Sequence, residues 1–104
     1  MGMNNQQRIL NLLGLARRAS QLTTGEGAVI KSLRAQQIKL IFLASDAGNA
    51  TKKKVTDKAN FYRVPVCQQF SQQELSIAIG QKRTVIGIKQ VGFANQFQKL
   101  LKIE

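Results

Sequence analysis

Between Gln6 and Ala19 the apolar residues Ile9, Leu12, Leu13 and Ala16 recur every three or four positions, which predicts an amphipathic helix. Arg17 and Arg18 close it, where cations complement the helix dipole. A short extended piece, QLTT, leads into a second predicted helix from Gly25 to about Arg34, with Val29, Ile30 and Leu33 again at helical spacing. The run IKLIFLAS is short, continuous and apolar, the pattern of a strand buried on both faces, and DAGNA breaks it. TKKKVTDKAN offers only Val55 and Ala59 as an inward stripe and reads as a surface helix. Pro65 opens a strand from Val66 to about Gln69, since proline is tolerated at the first residue of a strand. SQQELSIAIG carries a capping-box pattern, Ser71 with Glu74, and a glycine stop at Gly80. TVIGI is a second buried strand, and Phe93, Phe97, Leu100 and Leu101 place the last segment on a helix. Helices and strands alternate throughout, which argues for an α/β layered fold with helices on both faces of a central sheet.

Length bounds this at one domain, residues 1–104. Charge adds a constraint: 16 Lys and Arg stand against 5 Asp and Glu, a formal net charge of +11. That much unbalanced charge repels itself unless a polyanion neutralises part of it, so nucleic acid is the leading partner. An anionic membrane ranks below it, because no segment joins a large apolar face to interfacial aromatics, and the longest uncharged apolar run, LIFLA, is too short to span a bilayer. MGMNNQQ lacks the basic and apolar regions of a secretory signal, so a cytoplasmic location is expected.

Residue types that catalysis usually needs are scarce. There is no histidine, and the lone Cys67 sits in VPVCQQF beside apolar residues with no basic neighbour, the setting of a small buried strand residue rather than a nucleophile. The carboxylates Glu26, Asp46, Asp57, Glu74 and Glu104 form no close pair in sequence. The expectation is a protein that is not an enzyme and has no cofactor or metal.

Three segments are candidates for binding. TTGEGAVIKS puts Gly25, Glu26 and Gly27 at a helix start, where free N–H groups and the positive end of the dipole suit phosphates or base edges. It is not a P-loop, because Ile30 stands where glycine is required before Lys31 and Ser32, and a dinucleotide fingerprint lacks its third glycine. Thr23 and Glu26 have the spacing of a capping box. DAGNATKKK places Lys52, Lys53 and Lys54 at a helix N-terminus, where each opposes the dipole at a cost of about 0.3–1 kcal/mol at low salt, a cost that an external anion would offset. GQKRT adds Gln81, Lys82 and Arg83 in a loop.

Those segments carry a resemblance. TTGEGAVIKSLRAQQIKLIFLASDA, then VPV, then ELSIAIG, then a strand and a terminal helix, resembles the ribosomal-protein superfamily that binds kink-turn RNA, and RILNLLGLARRASQLTTGE resembles its bacterial YlxQ-like branch. The resemblance covers nearly the whole chain. It implies a three-layer α/β/α sandwich around a mixed four-stranded sheet, and RNA binding without catalysis. In that family a glycine, then Asn-Glu two and three residues later, then a lysine, meet the sheared G·A pairs of the kink. Gly25 and Lys31 match the glycine and lysine, whereas Gly27 and Ala28 stand at the places of Asn and Glu. The loop that packs on a flipped-out nucleotide, usually apolar, is here Gln81, Lys82 and Arg83. Glu26 remains as a side chain able to accept from a guanine edge.

The expected ligand is therefore structured RNA with a kink or internal loop, ribosomal RNA first, with association with the ribosome as a further partner. Gly25, Glu26, Gly27, Lys31 and Arg34 would meet the RNA, and Lys52, Lys53, Lys82 and Arg83 would hold its backbone. Two alternatives stay open: a nonspecific basic binder of nucleic acid or the ribosome surface, and a protein–protein adaptor.

Overall fold

The computed structural model describes residues 4–103; Met1 to Met3 of the leading stretch and Glu104 lie outside the described residues. Five helices and four strands alternate: α1 (Asn5–Arg18), β1 (Leu22–Thr24), α2 (Glu26–Arg34), β2 (Leu40–Leu43), α3 (Asn49–Phe61), β3 (Val66–Cys67), α4 (Gln72–Ile79), β4 (Val85–Ile88) and α5 (Val91–Ile103). The strands form one sheet in the order β1-β4-β2-β3. β4 runs antiparallel to β1 and β2, with Thr24 opposite Ile86 and Phe42 opposite Ile86 on its other side, while β2 and β3 are parallel. The sheet is mixed, and helices cover both faces. α2 lies on β1 and β4 and packs against α3, which lies on β2; α1 packs against α4 and α5 in the opposite layer, with α5 on β4.

Local chemistry explains where most elements begin and end. Asn4 caps α1 by accepting from the Gln7 N–H at 2.8 Å. At α4 the Ser71–Glu74 capping box is complete, and Gly80 takes the left-handed conformation expected at its C-terminus, φ 74°. β2 and β4 are buried at every position because helices cover both faces of the sheet there. All four inward residues read for α1, Ile9, Leu12, Leu13 and Ala16, are buried, and α3 buries only Val55 and Ala59. Phe42 of β2 anchors the centre, with its ring 5.0 Å from that of Phe97 on α5 and 6.3 Å from that of Phe70. Cys67 is buried in β3 within this core.

Two details depart from expectation. β3 holds two residues, not four, because Phe70 must turn inward to reach Phe42 and the α4 cap follows at once; Gln68 and Gln69 are exposed. The Thr23–Glu26 capping box does not form. Pairing of Thr23 with Gly87 and of Thr24 with Ile86 keeps both residues extended in β1, so α2 cannot start until Glu26, and Gly25 becomes its cap.

Candidate nucleic-acid interface

The three segments singled out in the sequence meet at one end of the sheet. β4 carries two of the junctions directly: the Gly25 N–H donates to the Val85 carbonyl at 2.9 Å, and the Ala44 N–H donates to the Thr84 carbonyl at 2.9 Å. These bonds extend the ladders of β1 and β2 beyond their last paired residues. The β1–α2, β2–α3 and α4–β4 connections therefore share one rim, around a cavity of about 410 Å³.

Two helix starts face that cavity. The caps of α2 and α3 are Gly25 and Gly48, both line it, and neither helix has a side-chain cap. The first N–H groups of each helix thus have no intrahelical partner and present partial positive charge at this rim. Gly25 adopts φ 95°, ψ 148°, a conformation essentially reserved for glycine, and this lets the chain leave β1 and enter α2 in a single residue.

The basic loop is held rigidly. The Ser76 hydroxyl accepts from the Arg83 N–H at 3.0 Å and donates to the Arg83 carbonyl at 3.3 Å, tying the loop to α4. The Arg83 guanidinium is aimed by two bonds of its own: Nε donates to the Thr24 hydroxyl at 3.1 Å, and a terminal nitrogen donates to the Lys82 carbonyl at 2.8 Å. Its remaining N–H groups have no partner among the described residues, and the two bonds fix the orientation of the fork. On the far wall the Gln72 amide donates to the Thr84 hydroxyl at 3.0 Å, while Asp46 accepts from the Gln72 N–H at 2.9 Å and so serves the start of α4.

Glu26 is already occupied. One carboxylate oxygen accepts from the Thr51 hydroxyl at 2.8 Å, and the other lies 3.4 Å from the Lys54 ammonium. The Thr51 hydrogen bond first, and Lys54 after it, hold the Glu26 carboxyl below its ordinary carboxylate range against the opposing effect of partial burial. Glu26 thus straps the α2 start to α3. Since its folded pKa is depressed, this strap stabilises the fold above the ordinary carboxylate pKa and is lost as the pH falls through the lowered value. Glu26→Gln should flatten the acid side of a stability-against-pH profile measured by denaturant unfolding; an unchanged profile would show that the strap does not contribute.

Of the residues read from sequence, Gly25, Glu26, Lys82 and Arg83 line the cavity. Gly27 is exposed in the first turn of α2, and Lys31 is exposed one turn further on. Arg34 sits in the last turn of α2, about 13 Å along the axis from Gly25 and away from the cavity. Lys52 and Lys53 stand on α3 outside the cavity wall, Lys53 paired with Asp57 at 3.1 Å, and Gln81 is set back from the lining. Lys54, marked in sequence only as part of the lysine run, is drawn to the site through Glu26. The reading missed Thr24, Asp46, Thr51, Gln72 and Thr84, all of which act through partners 12 or more residues away that no local pattern marks. Among the described residues no group of three or more His, Cys, Asp or Glu is placed to hold a metal ion, and no helix is long and apolar enough to cross a membrane.

A three-layer sandwich around a mixed four-stranded sheet, with two helix starts and a braced arginine gathered at one end, places the chain in a small class of α/β domains. Residues 7–98 match the Ribosomal protein L7Ae/L30e/S12e/Gadd45 family, and the chain belongs to it. It is similar to a protein of Enterococcus faecium named RNA-binding protein YlxQ, 43% identical over 102 residues that cover 98% of this chain and 99% of that one. A Bacillus subtilis protein of the same name is 45% identical over 91 residues, covering 86% of this chain and 91% of its own. Among solved structures, a Bacillus halodurans protein of unknown function is 46% identical with a TM-score of 0.88, over 91% of this chain and 97% of that one. The Giardia lamblia 15.5kD RNA binding protein shares the fold at 16% identity, with a TM-score of 0.79 over 98% of this chain and 88% of that one.

Proposed function

We propose that this chain is a single, non-catalytic RNA-binding domain that takes structured RNA with a kink or internal loop, ribosomal RNA first. The observation that carries the reading is the convergence of two uncapped helix starts with Lys82 and Arg83 on one cavity in a chain of net charge +11. Oriented N–H groups and a braced guanidinium suit phosphate and base-edge acceptors. The names of the Enterococcus and Bacillus relatives support the RNA-binding part of this reading.

In this reading Gly25 and Gly27 let the RNA backbone approach the start of α2, Arg83 makes the directed contact, and Lys31 faces the kink from the next turn. Lys52, Lys53 and Lys82 hold phosphates, with Gln81 and Arg34 at the margins of the footprint. Glu26 works mainly by holding Thr51 and Lys54 in place.

The test is a set of RNA titrations across salt concentrations. Alanine at Lys52, Lys53, Lys82 or Arg83 should weaken binding and reduce the slope of log affinity against log salt by about one unit or less each. Lys53→Ala should sit at the low end, since Asp57 already offsets its charge. Lys31→Ala should cost more affinity for a kinked RNA than for a plain duplex. Equal affinity of the unmodified protein for kinked and plain duplex RNA at every salt would reduce it to a nonspecific basic binder.

A further inference from the structure

At the far end of α3 from the cavity stands an aromatic that neither the core nor the proposed site uses. Phe61 is 78% exposed, the most exposed large apolar side chain among the described residues. Its ring is not loose: it meets the ring of Tyr62 edge to face at 4.9 Å and 82°, and Tyr62 packs against the core. One side of the Phe61 ring is thereby steadied while most of its surface faces solvent.

Cations lie along the same helix and just beyond its end. Lys58 lies one turn earlier on the same helix and Arg63 follows two residues on, exposed; Lys53 and Lys54, on the same side of α3, continue the series back to the cavity end, where Lys54 meets Glu26. Asp57 is the sole carboxylate on α3, and Lys53 meets its charge. From Thr51, on the cavity wall, to Phe61 the helix rises about 15 Å, a distance that a few nucleotides of single strand can follow. A protein-docking hot spot would set its aromatic within a contiguous apolar patch. Here the flanking residues are Asn60 and the half-buried Tyr62, with Asp57 and Lys58 one turn back on α3 and Arg63 two positions on. An exposed π-face steadied on one edge, with Lys58 and Arg63 close in sequence, instead suits single-stranded nucleic acid, with bases stacked on the ring and phosphates met by the cations.

We infer that Phe61 is a stacking platform for an unpaired base, and that the lysines of α3 guide a single-stranded RNA segment to it from the cavity. The inference extends the RNA-binding reading and rests on it for the direction of the strand. It gives the lysine-rich start of α3, unfavourable for the isolated helix, a second use as the upper part of a track.

The experiment compares a kinked duplex RNA with blunt ends and the same RNA carrying a short single-stranded extension, using the full chain and the variants F61A and F61W. Since the chain has no tryptophan, the F61W indole reports on that position alone. The extension should raise the affinity of the unmodified protein about tenfold. F61A should lose that gain while binding the blunt RNA as before, and F61W should keep it, with its emission quenched by the extended RNA and by oligouridylate but not by the blunt duplex. A gain retained in F61A, or indole emission unmoved by the extended RNA, would overturn the proposal and leave Phe61 to a protein contact. If the blunt RNA does not bind the unmodified protein at all, the proposed function fails separately, and quenching by oligouridylate alone then decides for or against the platform.

Discussion

Gly27→Asn combined with Ala28→Glu should strengthen binding to a kink-turn RNA by about tenfold or more, while binding to plain duplex stays level or weakens. These are the positions that match the Asn and Glu by which kink-turn readers of the resembling superfamily meet sheared G·A pairs. A satisfied polar contact to a base edge is worth about 1–3 kcal/mol of discrimination. The structure has room for both side chains. Gly27 and Ala28 are exposed on the first turn of α2, and a Cβ at Gly27 would have nothing within 4 Å. A carboxylate at position 28 is also favourable near a helix start, so the fold should be unaffected. It would, however, repel phosphates that have no base edge to offer, which is why the two affinities should move apart. Titration of both RNAs with the double variant measures this. If it folds normally but binds both RNAs more weakly, the Gly-Glu-Gly turn is a backbone platform for some other RNA feature.

Gly25→Ala should destabilise the fold by about 1–3 kcal/mol and weaken RNA binding with it, whereas Gly27→Ala should be neutral or slightly stabilising. The two glycines are two residues apart and differ in one respect. Gly25 holds φ 95° and Gly27 lies in the helix, while neither would place a Cβ within 4 Å of another atom. The cost at Gly25 is thus conformational rather than steric. Relief of that strain would shift the start of α2 and the N–H groups it presents, which links the stability loss to the binding loss. Denaturant unfolding of the two variants side by side checks the sign, and equal behaviour would show that the left-handed turn is dispensable.

The elements themselves were legible because they rest on neighbours in sequence. The period of Ile9, Leu12, Leu13 and Ala16 announced α1, the unbroken LIFL and VIGI runs announced the two buried strands, and Ser71, Glu74 and Gly80 marked both ends of α4. Gly25 and Gly27 stood out for the same reason, since glycine at a helix start reports a backbone requirement. The Thr23–Glu26 pattern misled because its spacing is also compatible with a strand end, and pairing of β1 with β4 outweighs a capping bond.

Local periodicity and turn chemistry were thus enough for an alternating α/β chain with a glycine-opened second helix, a third helix with three lysines near its start and a basic loop before β4. That these three segments meet is a consequence of how the sheet assembles. Their convergence depends on β4 inserting between β1 and β2, a long-range pairing that no local pattern encodes. The same is true of the bonds that tune the site: Arg83 is braced by Thr24 across 59 positions and Glu26 by Thr51 across 25. Contacts of that separation arise when hydrophobic burial closes the sheet and its helix layers, and the polar groups left on the rim then find partners that the chain's order does not announce.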